Sequence, residues 1–141
     1  MAEQPRPSQA AVDAYVKQAA ARARAKTVVI DIDGVIADAA DFERDAPTWE
    51  EKFRDTVPLP GAAEALAELT RQGWYVVLHT ARANAYRKLT KDWLKKYGIW
   101  HMTHYQELHC GKPCGILYVD DRGHRFTGWE GVFKALEETD G

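Results

Sequence analysis

Apolar and polar residues along this chain alternate between two patterns. Residues 27–32 and 74–80 ("WYVVLHT") are short runs rich in β-branched and aromatic side chains, the pattern of strands in a parallel sheet covered on both faces. Residues 115–121 ("GILYVDD") read the same way, and residues 99–105 ("IWHMTHY") form a weaker, shorter strand. Between them the period lengthens. In "GAAEALAELTRQG" the residues Ala62, Ala65, Leu66 and Leu69 share one helical face and Gly73 ends it. In "NAYRKLTKDWLKKYG" the stripe is Tyr86, Leu89, Trp93, Leu94 and Tyr97, closed by Gly98. A further alanine-rich helix is expected from Ser8 to residue 25, with Val12, Tyr15, Val16 and Ala19 on its apolar face and Arg22, Arg24 and Lys26 near its C-terminal end. Residues 37–61 are polar and without a period, holding one short helix around residues 49–54. In the tail, "GVF" (residues 131–133) reads as an edge strand before a last short helix.

Strands alternating with helices predict an α/β domain with a mostly parallel central sheet. The expected division is a tail and helix over residues 1–26 and one domain over residues 27–141, with no repeat or interdomain linker. The 141 residues are enough to bury a real core. A net charge of −2 gives no general attraction to nucleic acid or to an anionic membrane. No apolar run reaches the roughly 18 to 20 residues of a spanning helix, and the start lacks the basic and apolar segments of a secretory signal. Two cysteines make no disulfide framework. A reduced, cytoplasmic protein is the expected class.

Candidate chemistry gathers where the strands end. In an open parallel sheet, binding groups collect at the carboxyl ends of the strands. Three strands end in polar residues here: Asp31 and Asp33, then Thr80 and Arg82, then Asp120 and Asp121. Neighbouring strands would bring up to four carboxylates into one pocket, an arrangement that is unfavourable without a cation. Mg²⁺ suits it, because it takes a few carboxylates and leaves room for a substrate phosphate. Lys112, Arg82 and the Thr80 hydroxyl are the candidates for neutralising a transferring phosphoryl group. A carboxylate can serve as nucleophile and a second one as proton carrier. Gly34 would allow a sharp turn and a close backbone approach to the phosphate. The cluster His101, His104, His109, Cys110 and Cys114 matches no familiar zinc spacing. Trp49 lies where a flap could cover a substrate.

These residues resemble a known family. "DIDGV" (31–35), "HTAR" (79–82), "GKP" (111–113) and "YVDDR" (118–122) are similar, in order, to the four motifs of the haloacid dehalogenase superfamily. Within it the chain resembles small phosphatases, and more distantly the phosphatase half of polynucleotide kinase-phosphatases. The resemblance implies a three-layer Rossmann-like fold and a Mg²⁺-dependent phosphatase acting through an aspartyl-phosphate. It implies Asp31 as nucleophile and metal ligand, and Asp33 as general acid/base with its carbonyl on the metal. Thr80 and Lys112 would hold the phosphoryl group, Arg82 would lie on the substrate side, and Asp120 and Asp121 would complete the metal site. Asp33, two positions after the nucleophile, favours phosphate-ester hydrolysis over carbon–halogen or carbon–phosphorus cleavage. Residues 38–60 and 83–111 are too short for a large cap, so the pocket is expected to be open. An open site suits a bulky substrate or closure by another subunit, as in a homo-oligomer, and does not choose between them. The substrate is expected to be a phosphorylated small molecule or a nucleic-acid end. The alternatives to hydrolysis are a phosphotransferase or mutase of the same fold, and a catalytically weak metal-binding interaction module.

Overall fold

In a computed structural model, the chain is described over residues 6–24, 26–40, 42 and 48–140, with only the backbone of the first helix described from residue 19 onward. The elements are α1 (Gln9–Arg24), β1 (Thr27–Ile30), α2 (Trp49–Asp55), α3 (Ala62–Arg71), β2 (Tyr75–His79), α4 (Arg87–Lys96), β3 (Glu107–His109) and α5 (Trp129–Asp140). The three strands form one parallel sheet in the order β1-β2-β3. Thr27 to Ile30 lie opposite Tyr75 to Leu78, and Val77 to His79 opposite Glu107 to His109.

Each pairing follows from the side chains. Val76 and Leu78 are fully buried, and Ile30 nearly so. They meet Leu66 and Leu69 of α3 and Trp93 and Leu94 of α4 in one core. The four α3 residues expected on one face, Ala62, Ala65, Leu66 and Leu69, are all buried. The helix stops where Gly73, at φ 89°, lets the chain reverse so that Trp74 N–H donates to the Leu69 carbonyl at 3.0 Å. Thr48 caps α2 by accepting from Glu51 N–H at 3.1 Å.

Four expectations are corrected. Residues 99–105 do not form a strand. Met102 takes a positive φ of 75° there, and His104 Nδ1 accepts from Trp100 N–H. These local bonds make a turn, and the strand follows it at Glu107–His109. "GVF" is not an edge strand but lies inside α5, where Phe133 and Leu136 pack on the core. Helical spacing, not alternation, brings those two to one side. The apolar face of α1 is not covered: Val12, Tyr15 and Val16 are exposed, because the helix meets the rest of the described chain chiefly at β1.

The fourth correction bears on function. Residues 115–121 do not form a strand, and Ile116, Leu117 and Val119 are exposed at 107%, 69% and 88%. Local bonds hold this segment folded on itself. Tyr118 Oη donates to the Pro113 carbonyl at 2.7 Å, and Lys112 Nζ sits 4.1 Å from the centre of the Tyr118 ring. Beyond it, Asp120 Oδ1 accepts from the Arg122 N–H at 2.8 Å and from that of Gly123. Side chains that bond nearby backbone compete with ladder formation. Among the described residues, β1 therefore has a strand on one side only.

Candidate active site

The site is built from the segments that leave β1 and β2. Along residues 30–33, Ile30 and Ile32 point into the core while Asp31 and Asp33 remain partly accessible, as two-residue alternation demands. The chain then coils tightly. The Ile32 carbonyl accepts from Val35, Ile36 and Ala37 N–H at 3.2, 2.8 and 2.9 Å. Gly34 N–H closes the turn on the Ala37 carbonyl at 2.8 Å. Gly34 sits at φ 90° with open space where a Cβ would stand, so the constraint there is conformational rather than steric. Fully buried Ile32 and Ile36 anchor the turn.

The second wall comes from β2 and β3. Thr80 N–H donates to the His109 carbonyl at 2.9 Å, Gly111 N–H to the Arg82 carbonyl at 2.8 Å, and Lys112 N–H to the Thr80 carbonyl at 3.0 Å. Residues 109–112 are thereby laced to residues 80–82, which carries Lys112 toward Asp31. Thr80 is fully buried, and its Oγ1 accepts from Arg82 N–H at 3.1 Å.

Charge in the site is set by burial first. Burial raises the proton affinity of Asp31; the Ile32 N–H on Oδ1 at 2.8 Å and the Lys112 ammonium oppose it, and the Asp33 charge adds to it. His79 is pushed the other way, below its ordinary value, by burial and then by Lys112 and His109. A carboxylate and a lysine ammonium thus share the mouth of the sheet.

Arg82 is placed otherwise than on an open substrate face. Its side chain is completely buried. Nε lies 3.2 and 3.0 Å from the two carboxylate oxygens of Asp33, and Nη2 lies 2.6 Å from Oδ1. Nη1 donates to Thr90 Oγ1 at 3.2 Å, and the guanidinium carbon stands 4.1 Å from the Phe53 ring centre and 6.0 Å from that of Trp93. Phe53, Thr90 and Trp93 were not anticipated as site residues. The available signal was Thr90, a polar residue on the same α4 face as Trp93 and Leu94, three and four positions on.

Asp31, Asp33, Gly34, Thr80, Arg82 and Lys112 are therefore brought to one end of the sheet. Asp120 and Asp121 are not: both are exposed on the folded-back segment. Among the described residues, no group of three or more His, Cys, Asp or Glu is arranged to hold a metal ion. The donors expected for Mg²⁺ are right in kind, being hard carboxylate oxygens, but not in position. Cys110 and Cys114 carry free thiols, while His101, His104 and His109 bond Gln106, Trp100 and Glu107. A groove of about 530 Å³ between α2 and α4, lined by Glu50, Arg54, Tyr86, Lys88, Leu89 and Trp93 among others, includes none of the expected site residues. Trp49 is half exposed, with Lys52 Nζ 4.3 Å from its ring centre.

Among the described residues the fold is α/β with a parallel sheet and no large cap; the first three motifs lie at one end of that sheet and the fourth on the exposed segment. No family model matches the chain, and no curated protein is significantly similar to it. Solved structures are similar. A crystal structure of a target protein from Vibrio cholerae is 24% identical with a TM-score of 0.50, over 81% of this chain and 98% of that one, a likeness of fold. A chain of the Pnkp1/Rnl/Hen1 RNA repair complex is 28% identical with a TM-score of 0.48, over 60% of this chain and 25% of that one. The D,D-heptose 1,7-bisphosphate phosphatase of B. bronchiseptica, solved with magnesium and phosphate, is 22% identical with a TM-score of 0.45, over 60% and 49%. No helix among the described residues is long and apolar enough to cross a membrane.

Proposed function

We propose that this protein is a phosphatase that hydrolyses a phosphate monoester through an aspartyl-phosphate on Asp31. The reading is carried by one observation: Asp31, Asp33, Thr80 and Lys112 converge at the carboxyl ends of β1 and β2, where the loops are laced together by backbone hydrogen bonds. An Asp31 oxygen attacks phosphorus; the new O–P bond forms as the ester P–O bond breaks. The Asp33 carboxyl gives its proton to the leaving oxygen. Water then attacks phosphorus, Asp33 takes its proton, and inorganic phosphate leaves with the Asp31 carboxylate restored. Lys112 balances the charge of the phosphoryl oxygens, and the Thr80 hydroxyl is the neutral donor beside them.

Mg²⁺ belongs to this proposal. It would be held by Asp31, by the Asp33 carbonyl and by Asp120 and Asp121, and would supply charge neutralisation at the phosphate. Asp120 and Asp121 reach it only when residues 115–121 lie extended along the side of β1 away from β2. The exposed Ile116, Leu117 and Val119 are the side chains such a move would cover.

Hydrolysis of p-nitrophenyl phosphate with Mg²⁺, with added chelator, and by Asp31→Asn tests the reading. Activity lost in both controls supports it. Activity surviving both removes it.

A further inference from the structure

Resting on that reading, we infer that Arg82 is a positioning residue: a guanidinium buried between α2 and α4 that fixes the carboxyl plane of Asp33 for proton transfer at the leaving oxygen. Four observations converge on it. Three N···O contacts between 2.6 and 3.2 Å grip both oxygens of Asp33, so the carboxyl can neither rotate nor tilt freely. The guanidinium is itself held, by Thr90 Oγ1 at 3.2 Å and by the Phe53 face at 4.1 Å. Its side chain has no solvent-exposed surface, while Asp33 keeps 21% of its own. Arg82 thus stands behind Asp33, away from solvent, and Asp33 alone of the two faces outward. Its backbone is fixed as well, with N–H on Thr80 Oγ1 and the carbonyl on Gly111 N–H.

A group behind the proton carrier acts on one quantity in particular. Misorienting Asp33 harms esters whose leaving oxygen needs a proton and spares those whose leaving group departs as a stable anion. Buried polar pairs also destabilise when one partner is lost, so stability alone does not separate positioning from scaffolding. Leaving-group dependence does.

The experiment measures kcat/KM for phenyl phosphate and 2,4-dinitrophenyl phosphate with wild type, Arg82→Lys, Arg82→Met and Thr90→Val. Thr90→Val removes one anchor of the guanidinium and keeps its charge. The expected result is a loss on phenyl phosphate at least about tenfold larger than on the dinitrophenyl ester for Arg82→Met, with partial recovery in Arg82→Lys and a smaller loss of the same selectivity in Thr90→Val. Equal losses on both esters, or a raised KM at unchanged kcat, overturn it. Urea unfolding of Arg82→Met, Asp33→Asn and the double variant gives a readout that needs no turnover. Coupled partners make the double variant no less stable than the worse single one, whereas additive losses overturn the inference. Wild type without Asp31-dependent hydrolysis, but with coupled midpoints, removes the phosphatase reading and leaves the Arg82–Asp33 pairing standing.

Discussion

Two stretches of this chain have nearly the same pattern and different fates. "VVIDID" (28–33) and "ILYVDD" (116–121) each run four apolar residues or nearly so into paired carboxylates. The first becomes β1 and the turn after it; the second is an exposed, folded-back segment. The difference lies in the partners. Residues 27–30 have β2 alongside and a core on one face, where Ile30 is buried and Val28 packs against it, while Val29 on the other face stays 59% exposed. Residues 116–119 have a tyrosine whose hydroxyl reaches back to Pro113 and whose ring lies against Lys112. An apolar run records the capacity to form a strand; a ladder and a covered face turn it into one.

Substitution tests that difference. Leu66→Ala, at a fully buried position, is expected to cost about 2–5 kcal/mol in urea unfolding. Leu117→Ala, at 69% exposure, is expected to change stability by less than about 0.5 kcal/mol without Mg²⁺. A large loss at Leu117 in chelator would show that the segment is packed already, erasing the contrast. Saturating Mg²⁺ is expected to slow amide hydrogen exchange at residues 116–119 relative to chelator and to make Leu117→Ala destabilising. Unchanged exchange would separate metal binding from this segment.

The smallest expected effect is on pH dependence. Burial raises the proton affinity of Asp31 above the ordinary value of 3.8. Between 3.8 and the raised value the folded chain holds a proton that the unfolded chain has released, so stability falls as pH rises through that window. Above it the buried charge is a standing cost. Asp31→Asn is therefore expected to have a higher melting temperature than wild type near neutral pH, with the difference shrinking as pH falls toward 3.8. A difference independent of pH would mean that Asp31 is not desolvated.

Much of this was legible in the sequence where a pattern has one physical solution. The α3 stripe, the β1 and β2 runs and the glycine stops each allow little else, and the two runs place Asp31, Asp33 and Thr80 at strand ends. Asp120 and Asp121, expected at a third strand end, lie on an exposed segment instead. The turn at residues 100–105 and the fold of residues 113–118 are held by local bonds, among them those of His104 and Tyr118, that no periodicity announces. Arg82 was legible as a site residue but not in its direction. Its placement depends on Phe53, Thr90 and Trp93, drawn from two helices that only the folded chain brings around it.

In the proposed mechanism Asp31 carries the phosphoryl group. Mixing the protein with an aryl phosphate and Mg²⁺, quenching in acid within the first turnovers and mapping the peptides by mass spectrometry tests it directly. A phosphoryl increment on Asp31 is expected in wild type, accumulating further in Asp33→Asn and absent from Asp31→Asn. A phosphoryl group on another residue, such as His79, or steady hydrolysis by Asp31→Asn, would contradict it.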